Sequence, residues 1–257
     1  MGKLALVTGA SSGLGEELAK LFAADGWDLL LVARRKDLLD ALSAELVRKH
    51  GIAAHVLVAD LGTLEGPAQV VADVQAKQLE VEALVNNAGY GDSGAFVASD
   101  AAKQLGMVQL NMGALVSLTR AFLPGMVARK RGHVLNIGST AGFQPGPYMA
   151  VYYASKAFVN SFTEALSYEL KGTGVTATVS CPGATATGFS TVAGTSKSRL
   201  FKSGAMEPGA VARDAYRACL SGRAMVVHGV KNKLAAFSVR FTPRGVIRAV
   251  AAALNRA

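Results

Sequence analysis

Only two cysteines, one tryptophan and seven prolines occur in the 257 residues, and just 18% of the chain is charged. Two thiols, Cys181 and Cys219, cannot supply the disulfide framework of a small secreted domain, and neither has a histidine or an acid at metal-ligand spacing. We read both as small core residues. The four histidines, His50, His55, His133 and His228, show no ligand spacing and no local serine or cysteine nucleophile. No metal is therefore expected, and all four are assigned to the surface or to strand ends. No apolar run approaches the roughly 18 residues that a membrane span needs. Met1 to Lys3 leads straight into a strand-like segment, without the three-part layout of a signal peptide, so a soluble cytoplasmic protein is the expectation. No Gly-x-Ser-x-Gly elbow occurs, which argues against an α/β hydrolase.

What is abundant is apolar: 51% of residues are hydrophobic, and the 28 glycines follow no fixed period. This excludes a disordered or collagen-like chain. The length suits one domain over residues 1–257, with two short ones as the alternative. Acid is scarce in one place only. Residues 1–187 hold 15 Lys plus Arg against 16 Asp plus Glu, whereas residues 188–257 hold 12 against Glu207 and Asp214 alone. The whole positive excess lies in the last quarter, as a solvated face or as an attraction for an anionic substrate, carrier or membrane. The cations are scattered and no reader module accompanies them, so nucleic acid is not expected.

Seven short β-rich runs alternate with helical patterns: Leu4 to Thr8, Leu29 to Ala33, His55 to Val58, Ala83 to Val85, His133 to Ile137, Val175 to Ser180 and Met225 to Val227. Several are apolar almost throughout, as strands are when helices cover both faces of a parallel sheet. The fold class is α/β, a doubly wound parallel sheet of seven strands flanked by helices. Residues 184–206 are polar and weakly periodic and read as a mobile substrate loop.

Directly after the first strand comes Gly9-Ala10-Ser11-Ser12-Gly13-Leu14-Gly15, with the helix pattern starting inside it. Glycines here let the backbone turn sharply and approach a pyrophosphate, which free N–H groups and the helix dipole hold. The spacing differs from Gly-x-Gly-x-x-Gly, and a plain strand-to-helix turn gives the same residues. At the end of the second strand, where an NAD-preferring enzyme presents an acid, stands Arg34-Arg35-Lys36. A guanidinium grips a 2′-phosphate through paired hydrogen bonds, so NADP(H) is expected over NAD(H). Asp60-Leu61 follows the third strand, where an acid can accept from an adenine amino group.

Asn86-Asn87-Ala88-Gly89 ends the fourth strand and Ser139 the fifth. Thirteen residues beyond Ser139, Tyr152 and Lys156 stand four apart on one helix face. A phenol has a pKa of about 10, and a nearby ammonium together with an oxidised nicotinamide ring favours its phenolate, allowing proton exchange with a carbonyl or alcohol. Tyr153 is a rival at i,i+3 from Lys156, and periodicity does not separate the two.

Together these motifs, with Asn111 and Pro182-Gly183, resemble the short-chain dehydrogenase/reductase family over about residues 3–227. The resemblance implies a Rossmann-like single domain, with Tyr152 as the acid/base in preference to Tyr153. It implies that Lys156 lowers the Tyr152 pKa and holds the nicotinamide ribose, that Ser139 positions the carbonyl, and that Asn111 supports a water-mediated proton relay. Asn87, Ala88 and Gly89 would line the coenzyme, and Pro182, Gly183, Thr185 and Thr187 would cup the nicotinamide and its phosphate side. The resemblance also implies a dimer or tetramer through the long helices.

It thins beyond His228, where residues 231–257 carry six Lys or Arg and no acid around an apolar set from Leu234 to Leu254. This basic amphipathic tail, broken at Pro243, would pack over the substrate pocket, join subunits or lie on a membrane. The expected function is an NADP(H)-dependent oxidoreductase acting on a small-molecule carbonyl or alcohol, with a hydrophobic ketone or aldehyde as substrate. A 3-oxoacyl thioester reductase and a silent NADPH sensor are the alternatives.

Overall fold

The computed structural model describes residues 2–195 and 204–256. Strands β1 (Leu4–Thr8), β2 (Asp28–Ala33), β3 (Ala54–Val58), β4 (Val81–Asn86), β5 (Gly132–Ile137), β6 (Val175–Cys181) and β7 (Met225–Val227) form one sheet. Its order is β3-β2-β1-β4-β5-β6-β7, and every neighbouring pair is parallel. Each run expected from the sequence falls within the observed strand, up to two residues short at an end.

Parallel strands bury both faces, and the residues of β1 divide accordingly. Ala5 and Val7 join Leu18 and Phe22 of α1 (Gly13–Ala24), Leu39 and Leu46 of α2 (Lys36–His50) and Tyr216 of α8 (Pro208–Leu220). Leu4 and Leu6 point the other way, to Val70 of α3 (Glu65–Ala76), Leu118 of α5 (Leu115–Ala128) and Leu166 of α6 (Ala150–Glu169). Each such aliphatic or aromatic side chain contributes about 1.5–3 kcal/mol of burial. Phe22 is the hub of the first face, edge-on to Trp27 at 5.2 Å and to Tyr216 at 4.8 Å. Gly51 ends α2 in the left-handed region at φ 67°, where a side chain would be strained.

One expectation needs correction: α4 (Ala101–Val108), a π-helical segment (Gln109–Ala114) and α5 join into one helix of 28 residues, long and apolar enough by composition to cross a membrane. Gln109, Asn111, Ser117 and Thr119 interrupt the apolar run in the sequence. In the fold, Met107, Ala114, Leu118 and Met126 are buried, the last three in the core under the sheet, while Leu105 and Val108 stay exposed. His228 stands directly after β7, at a strand end as expected, and is buried. Its Nε2 lies 2.8 Å from Ser180 Oγ and its Nδ1 3.7 Å from the Asp214 carboxylate. Both cysteines are free and buried.

Of the stretch 184–206, residues 196–203 lie outside the described residues. On its near side the short helix α7 (Phe189–Val192) forms, and Thr185 bridges Met206. The tail folds as α9 (Val230–Ser238) and α10 (Arg244–Asn255), on either side of Pro243.

Candidate active site

The strand order turns outward between β1 and β4, and ligands of open α/β sheets bind beside the carboxyl ends of strands at such a point. A cleft of about 520 Å³ opens there. Its floor is the turn after β1. Gly9 (φ 64°) and Gly13 (φ 60°) are left-handed, and a Cβ on Gly9 would stand 2.8 Å from Asn87 Nδ2. Ser11, Ser12, Gly13 and Leu14 line the cleft, and no side chain caps the start of α1, so its first N–H groups are free for an anion. Gly15 does not line it. A Cβ there would meet the Gly9 carbonyl at 2.3 Å, so this glycine lets helix and turn pack rather than touching a ligand.

Thr8 and Asn87 tie the turn to β4. Thr8 Oγ1 donates to the Val85 carbonyl and accepts from the N–H groups of Asn87 and Ala88, while Asn87 Nδ2 donates to the Thr8 carbonyl at 2.9 Å. Asn87, Ala88 and Gly89 reach the cleft, whereas Asn86 is buried against Asn136 and Thr119.

Arg34, Arg35, Asp60 and Leu61 line the same cleft. Arg35 Nη2 donates to Ser11 Oγ at 3.0 Å and Ser12 Oγ at 2.9 Å, which leaves other guanidinium N–H groups for a phosphate. Arg34 lies 3.8 Å from Asp60. Lys36 is not part of this cluster, because α2 carries it to Asp40 at 2.5 Å, so the basic corner holds two cations rather than three. These bare backbones, free N–H groups and paired guanidinium groups fit a dinucleotide bearing an additional phosphate.

Ser139 stands two residues past β5, not at its end, and caps a turn of 3₁₀ helix by accepting from Ala141 N–H at 3.0 Å. It reaches the cleft together with Tyr152 and Lys156 from the first turns of α6. Lys156 is buried, donates to the Ile137 carbonyl at 2.6 Å and holds its Nζ 6.0 Å from the Tyr152 ring centroid. Burial pushes Lys156 down to about 8 and pushes Tyr152 up to about 12, with the hydrogen bond to Ser139 pulling the phenol the other way. The sequence-based expectation was that Lys156 lowers the phenol; in the chain by itself desolvation wins. The two tyrosines differ in their surroundings: Tyr153 OH donates to Asn255 Oδ1 at 3.0 Å, whereas the Tyr152 phenol lies on the Ser139 side of the cleft, where Ser139 draws its pKa down against the effect of burial.

Asn111 is buried behind the cleft rather than in its lining. Its Oδ1 accepts from Tyr90 N–H, and its Nδ2 donates to the Tyr90 carbonyl and to Ser155 Oγ, which itself donates to the Tyr152 carbonyl. Pro182, Gly183, Thr185 and Thr187 close the side of the cleft after β6.

A sequence model described as short chain dehydrogenase matches residues 3–197. The chain belongs to the short-chain dehydrogenase family. It is similar to a very-long-chain 3-oxoacyl-CoA reductase of Anas platyrhynchos, with 37% identity over 68% of this chain and 57% of that protein. The chain thus spans little more than half the length of that relative. An NADP-dependent 3-hydroxy acid dehydrogenase of Salmonella typhi is 40% identical over 70% of this chain and 71% of its own. Among solved structures, a short-chain dehydrogenase from Sphingobium yanoikuyae in complex with NADPH superposes with a TM-score of 0.83 at 34% identity, covering 93% of this chain and 94% of that one.

In this short-chain dehydrogenase, the walls that the motifs did not reveal are Tyr90, Met149, Phe189, Val192, Leu254 and Asn255. Phe189 packs on the Tyr152 ring at 5.2 Å. Asn255 joins two elements, accepting from Tyr153 and donating to the Pro147 carbonyl at 3.0 Å, so the last turn of α10 sits over the cleft. The tail pattern signalled an amphipathic helix; nothing in the sequence signalled the partner of Asn255.

Proposed function

We propose that this short-chain dehydrogenase is an NADP(H)-dependent oxidoreductase that reduces a hydrophobic ketone or aldehyde to the alcohol. The observation that carries this reading is the presence of Ser139, Tyr152 and Lys156 in the same cleft as the Arg34 and Arg35 corner. When bound, the nicotinamide supplies the hydride, or accepts it in the reverse direction. Gly9, Gly13 and the start of α1 would hold the pyrophosphate, and Arg34 and Arg35 the 2′-phosphate. Pro182, Gly183, Thr185 and Thr187 would flank the nicotinamide.

Tyr152 gives its proton to the carbonyl oxygen while Ser139 donates a hydrogen bond to that oxygen. Burial keeps the Tyr152 phenol protonated at neutral pH, the form that can give a proton to a carbonyl oxygen. The Lys156 ammonium stabilises the phenolate left behind. Asn111 positions Tyr90 and, through Ser155, the first turn of α6. The NADPH-bound neighbour and the NADP-dependent relative support the coenzyme choice. A 3-oxoacyl thioester is the second substrate reading, favoured by the relatives named for 3-oxoacyl-CoA and 3-hydroxy acids. A cytoplasmic dimer or tetramer belongs to the same proposal, with Leu105 and Val108 of α4 and Tyr168 of α6 exposed along the long helices.

The test is NADPH consumption across a panel of ketones, aldehydes and 3-oxoacyl thioesters. Turnover is expected with apolar members, and Tyr152→Phe is expected to lower it about 10²–10⁴-fold with NADPH binding unchanged. Absence of turnover with any member, alongside equal NADPH binding by wild type and variant, would replace the enzyme reading with a nucleotide sensor.

A further inference from the structure

The tail has two unlike faces. Ile247 and Ala251 of α10 are buried and Asn255 is clasped by Tyr153, whereas Val230, Leu234 and Phe237 of α9 are 71%, 65% and 58% exposed. Spacings of four and three place these three on one stripe of the helix. Phe241, 75% exposed, extends the stripe with its ring 5.3 Å from that of Phe237. At 100° per residue, Lys231 falls on one side of the stripe and Lys233 on the other, joined by Arg240 in the following turn; all three are exposed. No acidic residue follows Asp214 in the sequence.

An aromatic and aliphatic stripe edged by cations has two obvious occupants, a second copy of the chain and a lipid surface. A two-fold contact between copies sets the patch against itself, cation facing cation, with no carboxylate in the tail to offset them. An anionic bilayer meets both halves of the patch, taking the rings at the acyl boundary and the ammonium and guanidinium groups among the phosphates. We propose that α9 and the turn through Phe241 dock this protein peripherally on an anionic lipid surface. The same tail carries Leu254 and Asn255 to the cleft, so the docked segment and one wall of the substrate site are a single piece of chain.

The test is flotation of the purified full chain with vesicles of phosphatidylcholine, with and without phosphatidylglycerol. Binding is expected only with phosphatidylglycerol and is expected to be lost near 1 M salt, where the screening length is about 3 Å. Each cation near an anionic surface is worth roughly fivefold in partitioning, so the combined Lys231→Glu, Lys233→Glu and Arg240→Glu variant should bind at least about a hundredfold more weakly. Phe237→Ser with Phe241→Ser should also release the protein. These side chains are exposed, so both variants should melt as wild type does and turn over soluble substrates unchanged. The proposal is overturned if wild type fails to bind at low salt, or if charge reversal leaves binding intact. It is also overturned if the Phe variant has a smaller mass by light scattering than wild type, which would make the stripe an interface between copies. None of these readouts depends on turnover, so they stand or fall separately from the catalytic reading.

Discussion

The turn after β1 and the helices after β7 border the same cleft but are built on opposite principles. The turn makes its surface from backbone, with two left-handed glycines and uncapped N–H groups held by Thr8 and Asn87. The tail makes its surface from side chains, and one buried amide, Asn255, fixes it in place. A backbone-made surface demands particular residues at particular spacings. A side-chain-made wall can be assembled from many apolar residues, so it is free to differ where the substrate differs.

Substitutions can pull these two regions apart. The largest effect is expected for Gly15→Ala, whose Cβ would meet the Gly9 carbonyl at 2.3 Å and Asn87 Nδ2 at 2.5 Å. Overpacking of this kind costs about 1–3 kcal/mol, and titration should show coenzyme affinity falling more than tenfold together with a lower melting temperature. Next, Arg35→Ala should weaken NADPH about 10–100-fold and leave NADH nearly unchanged, as measured by fluorescence titration. An equal loss for both coenzymes would instead assign Arg35 to holding Ser11 and Ser12 in place.

On the opposite wall, Asn255→Ala removes two hydrogen bonds worth about 1 kcal/mol each and should raise the substrate KM up to about tenfold, with the coenzyme KM unmoved. A rise in both constants would mean the tail braces the whole cleft. The smallest effect concerns Lys156, which lies between the two regions. Its pKa is lowered to about 8, so the ammonium is present below that pH and lost above it. Reductive kcat/KM should be level at neutral pH, halve near pH 8 and fall further beyond it, while Tyr152, raised to about 12, stays protonated throughout. A profile that rises through pH 8 would contradict this assignment.

The same division explains what was legible beforehand. Strand positions could be read because both faces of a parallel sheet need apolar residues, and the glycine turn because few other residues fit its dihedral angles. Lys36 was misplaced because spacing places a residue on a helix without saying which way it points, and Asp40 captures it. His228 was assigned to a strand end without foreseeing that Ser180, 48 positions away in the sequence, would bury and bond it. The upward displacement of the Tyr152 phenol is likewise a property of enclosure, which a Tyr-x-x-x-Lys spacing does not encode. The clasp of Tyr153 by Asn255 joins residues 102 positions apart and leaves no trace in either neighbourhood.

The π-helical segment between α4 and α5 has a further consequence. A wide turn of this kind accommodates one residue more than an α-helix would, and a single residue corresponds to about 100° of rotation. The segment therefore works as a phase shifter in an otherwise continuous rod. The rear half can aim Leu118 and Met126 at the sheet while the amide of Asn111 points at the strand-to-helix junction beside the cleft. In a uniform α-helix those two directions would be locked together, and satisfying one would turn the other away.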